Sequence, residues 1–233
     1  FVMPDAADKK VATGTWAGAL DKHPSLNLLH KKMLYVSQKV WNFAGAETQA
    51  LNSLWKAQSC DVFLPSVDGT LNQEFMKQAY SCLISAEVAA DAVRQKRRDW
   101  LECEIVDFDC DGRDEVLLNS SQVSLYFSKS RGGRLFEYDS RAYSVNFCAS
   151  CAEDGMFVDR LLSDCEGLDC AGLVGDGAVI CDFSNAVFAH SVIRRDEQSF
   201  VRLVCEGSWK AAGGKDDIIW LEKIFSIAAY RKV

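Results

Sequence analysis

The sequence predicts an α+β protein: an N-terminal three-helix bundle followed by a mainly antiparallel β-sandwich. Three observations carry this reading. Up to residue 98, apolar residues recur at spacings of three and four, the stripe of an amphipathic helix. From Trp100 onward they alternate in short runs, the period of a strand. Turn residues separate those runs and no long helical pattern interrupts them, which reads as a sandwich. The chain is therefore divided into residues 1–24 as a connecting segment, 25–99 as the helical bundle and 100–233 as the β-sandwich.

Pro4, Gly14, Gly18 and Pro24 break the first segment repeatedly. Ser25 is then placed to cap a helix whose stripe is Leu29, Met33, Val36, Val40 and Phe43, with Gly45 at its end. A second helix is expected over residues 47–58, burying Leu51, Leu54 and Trp55. A loop with Pro65, Asp68 and Gly69 leads to a third, over residues 72–98, whose stripe is Phe75, Ala79, Cys82, Ala86, Ala90 and Val93. Arg94, Lys96, Arg97 and Arg98 fall in its last turns, where the helix dipole favours cations. The strand-like runs are 101–108, 115–118, 123–127, 135–138, 143–147, 178–182, 186–192, 200–206 and 218–230, with Gly132-Gly133 as a turn.

The chain has 233 residues, 48% hydrophobic and 25% charged, enough for one or two domains with real cores. A net charge of -7 argues against nucleic acid as a partner. No run of about 18 apolar residues is present to span a membrane. No basic-then-apolar leader is visible in the sequence; its first residue is Phe, so it is expected to be a fragment or a processed product, with any true N-terminal signal out of sight. Of the ten cysteines, several fall within helical or strand patterns, where a thiol acts as a small buried hydrophobe. Reduced thiols and a cytoplasmic location are expected.

The richest chemistry lies between residues 107 and 115. Asp107, Asp109 and Asp111 alternate, and Gly112 permits a sharp turn. With the carbonyl of Arg113 and the carboxylate of Glu115, they occupy positions one, three, five, seven and nine of a cation-wrapping loop. Leu118 stands where an EF-hand has its glutamate, so the candidate is a short calcium loop, the alternative being a solvated acidic turn. Cys148-x-x-Cys151 and Cys165-x4-Cys170 have the count for a four-thiolate zinc site, but the second spacing is loose and unligated thiols are expected. His23, His30 and His190 lie in no nucleophile pattern. Trp209, Trp220, Tyr138 and Tyr143 are candidates for stacking on sugars, against the alternative of core packing.

The acidic turn, the strand that follows it and Gly132-Gly133-Arg134-Leu135-Phe136-Glu137-Tyr138-Asp139 resemble the start of the C-terminal β-sandwich of 4-α-glucanotransferases and α-amylases of glycoside hydrolase family 57. Upstream, Trp16, Pro24, Ser25, Asn27, Leu29, His30, Lys31, Lys32 and Met33 resemble the passage from the catalytic barrel into a helical bundle. Ala57-Gln58 and Leu83-Ile84-Ser85-Ala86-Glu87 resemble two later helical landmarks, and Phe1-Val2-Met3-Pro4 the exit of the barrel.

The resemblance implies a retaining two-carboxylate mechanism on a barrel preceding Phe1, so no catalytic residue is carried over to this chain. It also implies a Trp-His-Gly sugar-lining motif after the Ala-Gln landmark. Here Ser59-Cys60-Asp61-Val62 stands instead, leaving only Asp61 as a family position. The expected role is a non-catalytic C-terminal portion of a family 57-like protein, supporting the cleft of the upstream barrel domain and binding α-glucan through Asp61, Trp209 and Trp220. The alternatives are part of an active glucanotransferase or amylase, and a protein-interaction module.

Overall fold

A computed structural model describes residues 16–44, 48–63, 69–97, 99–149, 155–162, 179–195, 198–210 and 216–228, at some positions by backbone alone. Three layers are stacked: helices, a five-stranded sheet and a three-stranded sheet.

The helical layer holds α1 (Trp16–Lys22), α2 (Pro24–Lys39), α3 (Thr48–Ala57), α4 (Cys60–Phe63) and α5 (Gln73–Arg94). A π-helical turn over Val40–Ala44 continues α2. The three longest helices fall where three are expected, joined by two short ones. Pro24, read as a breaker, instead opens α2, where its missing N–H costs nothing; His23 rather than Ser25 holds the cap position. Leu26, Leu29, Val36 and Val40 are fully buried, yet Phe43 is exposed. The π turn adds a residue per turn and rotates Phe43 off the stripe. Trp55, expected inside, is 56% exposed, because Leu51 and Leu54 already occupy the inner face of α3. In α5 the buried stripe is Met76, Ala79, Tyr80, Leu83, Ala86 and Ala90, which leaves Phe75 and Val93 outside. Asn72 caps α5, its Oδ1 accepting from the N–H groups of Glu74 and Phe75 at 3.0 and 3.2 Å. The helix ends at Arg94, so of the four expected basic residues one lies in its last turn.

The first strand begins at Leu101, where the sequence pattern changes period. β1 (Leu101–Val106), β2 (Glu115–Ser120), β3 (Val123–Ser128), β4 (Arg134–Ser140) and β5 (Val145–Asn146) form an antiparallel meander in chain order. β6 (Arg160–Leu162) pairs with β7 (Val179–Asp182), and β6 lies outside the runs read from sequence. β8 (Ala189–Arg195), β9 (Gln198–Lys210) and β10 (Asp216–Ala228) make the third layer, in the order β10-β9-β8.

The five-stranded sheet is covered on both faces, so every residue of β2 is buried. Leu117 packs toward the helices with Phe108 and Tyr126. Val116 and Leu118 face Phe127, Leu135, Phe188, Leu203 and Ile227 between the two sheets. The β3–β4 turn requires glycine: Gly132 has φ 72°, and a Cβ there would stand 2.6 Å from the carbonyl oxygen of Ser184.

Candidate functional site

Where α2 and α5 meet the inner face of the sheet, seven charged side chains are sealed from solvent. Lys32 of α2 is fully buried. Its Nζ lies 2.7 Å from Glu137, 2.9 Å from Asp139, 3.0 Å from Glu87 and 2.9 Å from the Tyr126 hydroxyl. One helical turn pair further on, Lys39 Nζ reaches Glu87 at 2.8 Å and Asp91 at 2.9 Å. Arg141, just past β4, donates to Asp91 at 2.7 Å. Burial alone would strip Lys32 of its proton, but Asp139, Glu137 and Glu87 together hold its pKa well above the ordinary value. Burial likewise opposes ionisation of Glu87, yet Lys32, Lys39 and Arg141 hold its carboxyl far below the usual range.

Three buried cations, Lys32, Lys39 and Arg141, face four carboxyls, Glu87, Asp91, Glu137 and Asp139, and the partly buried Arg94 reaches Asp91 at 3.4 Å. An uncompensated buried charge is far more costly than a held proton. Burial and the neighbouring Asp139 push Glu137 well above the carboxylate range, which favours its protonated form. The ammonium of Lys32 has three hydrogens for its four oxygen neighbours, which also suits one oxygen bringing its own.

Sequence reasoning used Lys32, Glu87, Glu137 and Asp139 only as separate landmarks of a resemblance. The structure brings all four to one point. An aromatic plug closes it: Phe108 packs 5.6 Å from Tyr35, 5.2 Å from Tyr126 and 5.7 Å from Phe136, ring centre to ring centre.

The acidic loop carries that plug. Oxygens of Asp107, Asp109 and Glu115 lie within 4.8 Å of one another. Asp111 is exposed and turned away, its Oδ1 accepting from the Arg113 N–H at 2.8 Å. Asp107 accepts from the N–H groups of Asp111 and Gly112, both at 3.0 Å. Glu115 is 1% exposed. Burial and then Asp109 push its pKa up to about 7. Burial and then Asp111 raise that of Asp109. Beside the loop, Asp109, Arg131, Asp21, Asn27, Tyr80 and Phe136 are among the residues lining a cleft of about 230 Å³ between helices and sheet.

The other expected residues are dispersed. Asp61 is exposed on α4 in the helical layer. Trp220 is 66% exposed on β10 of the outer sheet, flanked by exposed Ile218 and Ile224. The side chain of Trp209 lies outside the described residues. Tyr143 is 81% exposed, whereas Tyr138 packs against Phe147. Of the four cysteines with the count for a zinc site, Cys148 is buried and Cys151, Cys165 and Cys170 lie outside the described residues. His30 sits edge-on to Phe63 within the helical layer.

Fold and site together define an α+β unit in which a helical layer is locked onto an antiparallel sandwich by buried ion pairs. Residues 107–152 match the family model described as alpha-amylase/4-alpha-glucanotransferase, C-terminal. Alpha-amylase 1 of Dictyoglomus thermophilum is 32% identical over 139 residues, 58% of this chain and 19% of that protein. The 4-alpha-glucanotransferase of Thermococcus kodakarensis is 30% identical over 138 residues, 59% of this chain and 19% of that protein. The crystal structure of 4-alpha-glucanotransferase from Thermococcus litoralis shares the fold with a TM-score of 0.72 at 23% identity, over 91% of this chain and 34% of that one. The resemblance drawn from the sequence is thus borne out. The chain spans about a fifth of the length of the curated relatives it matches.

Proposed function

We propose that this chain is the non-catalytic C-terminal portion of a family 57-like protein acting on α-glucan, and that it braces the cleft of an upstream barrel. The observation that carries the proposal is the match of residues 107–152 to the C-terminal family model, on a fold shared over 91% of the chain. The buried network supports the non-catalytic part. Glycoside hydrolysis needs two carboxyl groups facing the scissile bond. Glu87, Asp91, Glu137 and Asp139, four of the five carboxyls that are at most 1% exposed among the described residues, are committed to Lys32, Lys39 and Arg141. In this reading the network is a rigid foundation for a site built elsewhere.

Glucan contact falls to the outer face of β10, where the exposed indole of Trp220 offers an apolar ring for a pyranose face. A cytoplasmic location belongs to the same proposal: Cys82, Cys103, Cys110, Cys148 and Cys181 form no disulfide among the described residues. The test of glucan contact is electrophoresis through gels with and without amylose. The proposal expects retardation of the wild type, reduced by Trp220→Ala. Equal mobility of both proteins in both gels would contradict it.

A further inference from the structure

The acidic loop leaves one group unexplained. Glu115 opens β2 and is 1% exposed. Its Oε2 accepts from the Phe108 N–H at 3.1 Å, but its Oε1 has no hydrogen-bond partner. A buried carboxylate oxygen without a partner is costly. That carboxylate points into a group already holding oxygens of Asp107 and Asp109, all within 4.8 Å. Arg131 stands 3.7 Å from Asp109, is half exposed, and among the described ion pairs reaches no other member of the group. Three carboxylates from two loop positions and a strand end converge, and one of them keeps a buried oxygen without a hydrogen-bond partner.

The geometry points to a calcium site formed by Asp107, Asp109 and Glu115. A hard divalent cation takes carboxylate oxygens, and ligands on opposite sides of Ca2+ stand about 4.6–5.2 Å apart, against about 4.0–4.2 Å for Mg2+. Oxygens within 4.8 Å of one another fit inside the span of a calcium shell. Water and loop carbonyls complete its shell. The backbone supports the wrap: Cys110 and Gly112 have φ of 59° and 87°, which turns the chain back between the second ligand and the third.

The ion has a structural task. Phe108 lies between two of its ligands, and the Phe108 ring, 4% exposed, plugs the aromatic cluster over Lys32. Calcium fixes that plug, so it strengthens the docking of the helices on the sheet. This inference does not depend on the glucan reading.

The test uses the full chain stripped with EDTA. Calorimetric titration with CaCl2 and with MgCl2 is combined with melting curves in calcium, magnesium and EDTA, for wild type, Glu115→Gln and Asp109→Asn. Calcium should raise the wild-type Tm more than magnesium does, by mass action on the folded state. Glu115→Gln should weaken calcium binding at least about tenfold and remove the shift. In EDTA it should melt at or above the wild-type Tm, since it removes a buried unpaired charge, a result that a merely misfolded variant cannot give. Asp109→Asn should also lose the shift. Superimposable wild-type curves in millimolar calcium and in EDTA would overturn the assignment. So would a Glu115→Gln protein that keeps the wild-type shift, or magnesium acting as strongly as calcium.

Discussion

Lys32 is the residue on which the helical layer and the sheet depend together. Removing one member of a buried ion cluster leaves its partners charged and unpaired, at about 3–5 kcal/mol. Lys32→Met should therefore lower stability by roughly that amount in urea unfolding. The four carboxyls should not respond alike. Burial and Asp139 favour a protonated Glu137, so Glu137→Gln, which is neutral, should cost under about 1 kcal/mol, whereas Glu87→Gln should cost about 3 kcal/mol. Equal losses for the two variants would show that the proton sits elsewhere. Protonation also sets a pH dependence. Glu115 moves from 4.5 to about 7 on folding, so the folded protein binds more protons across that window. Its contribution is fully present below the window and is lost as pH rises through it. Glu137 acts in the same sense. His30 and His190, held low by burial, act in the opposite sense. Subtracting the Glu115→Gln curve cancels them. In EDTA the difference in urea midpoint between wild type and Glu115→Gln should widen from about pH 5 to about pH 8, with the variant the more stable. None of this was legible in residue patterns. Lys32 is 94 residues from Tyr126 and 107 from Asp139, and pairings that distant leave no periodic trace. A cue was there all the same: Lys32, Glu87, Glu137 and Asp139 each lie within a stretch quoted for the family resemblance.

At the scale of elements, periodicity located the three long helices and nearly every strand, because burial on one face repeats locally. It failed where the phase slips or a second face is covered. The π turn after Lys39 exposes Phe43, and α5 buries Glu87 and Asp91 where an apolar stripe was expected to suffice. β2 is an apolar run because both of its faces are packed, a condition periodicity cannot distinguish from a buried helix segment. The acidic loop was legible as a spacing, but the separation of Asp111 from Asp107, Asp109 and Glu115 depends on the turn that Cys110 and Gly112 make. The β3–β4 turn offers a sharp test. Gly132→Ala must adopt a left-handed backbone and drive its Cβ into the carbonyl of Ser184, which stands 2.6 Å from the ideal position. A loss of at least about 2 kcal/mol is expected in urea unfolding. A change within about 0.5 kcal/mol would mean that the outer loop yields freely.

Across the whole molecule, the network and the aromatic plug join helices to sheet so closely that a division by sequence period does not mark a gap in packing. Tyr35 of α2 stacks with Phe108 and Tyr126, and Arg94 of α5 pairs with Glu102 of β1. Helical and sheet signals should therefore disappear in one transition, seen as coincident far-UV and near-UV unfolding curves. Such a body suits the proposed role of a rigid support, with its buried charges paired with one another. The account places the chemistry of bond cleavage outside this chain. The most direct measurement is incubation of the purified chain with maltoheptaose, under conditions in which a 4-α-glucanotransferase redistributes it, followed by chain-length analysis. The account predicts that maltoheptaose is recovered unchanged. Longer and shorter maltooligosaccharides that persist through further purification of the chain would contradict it.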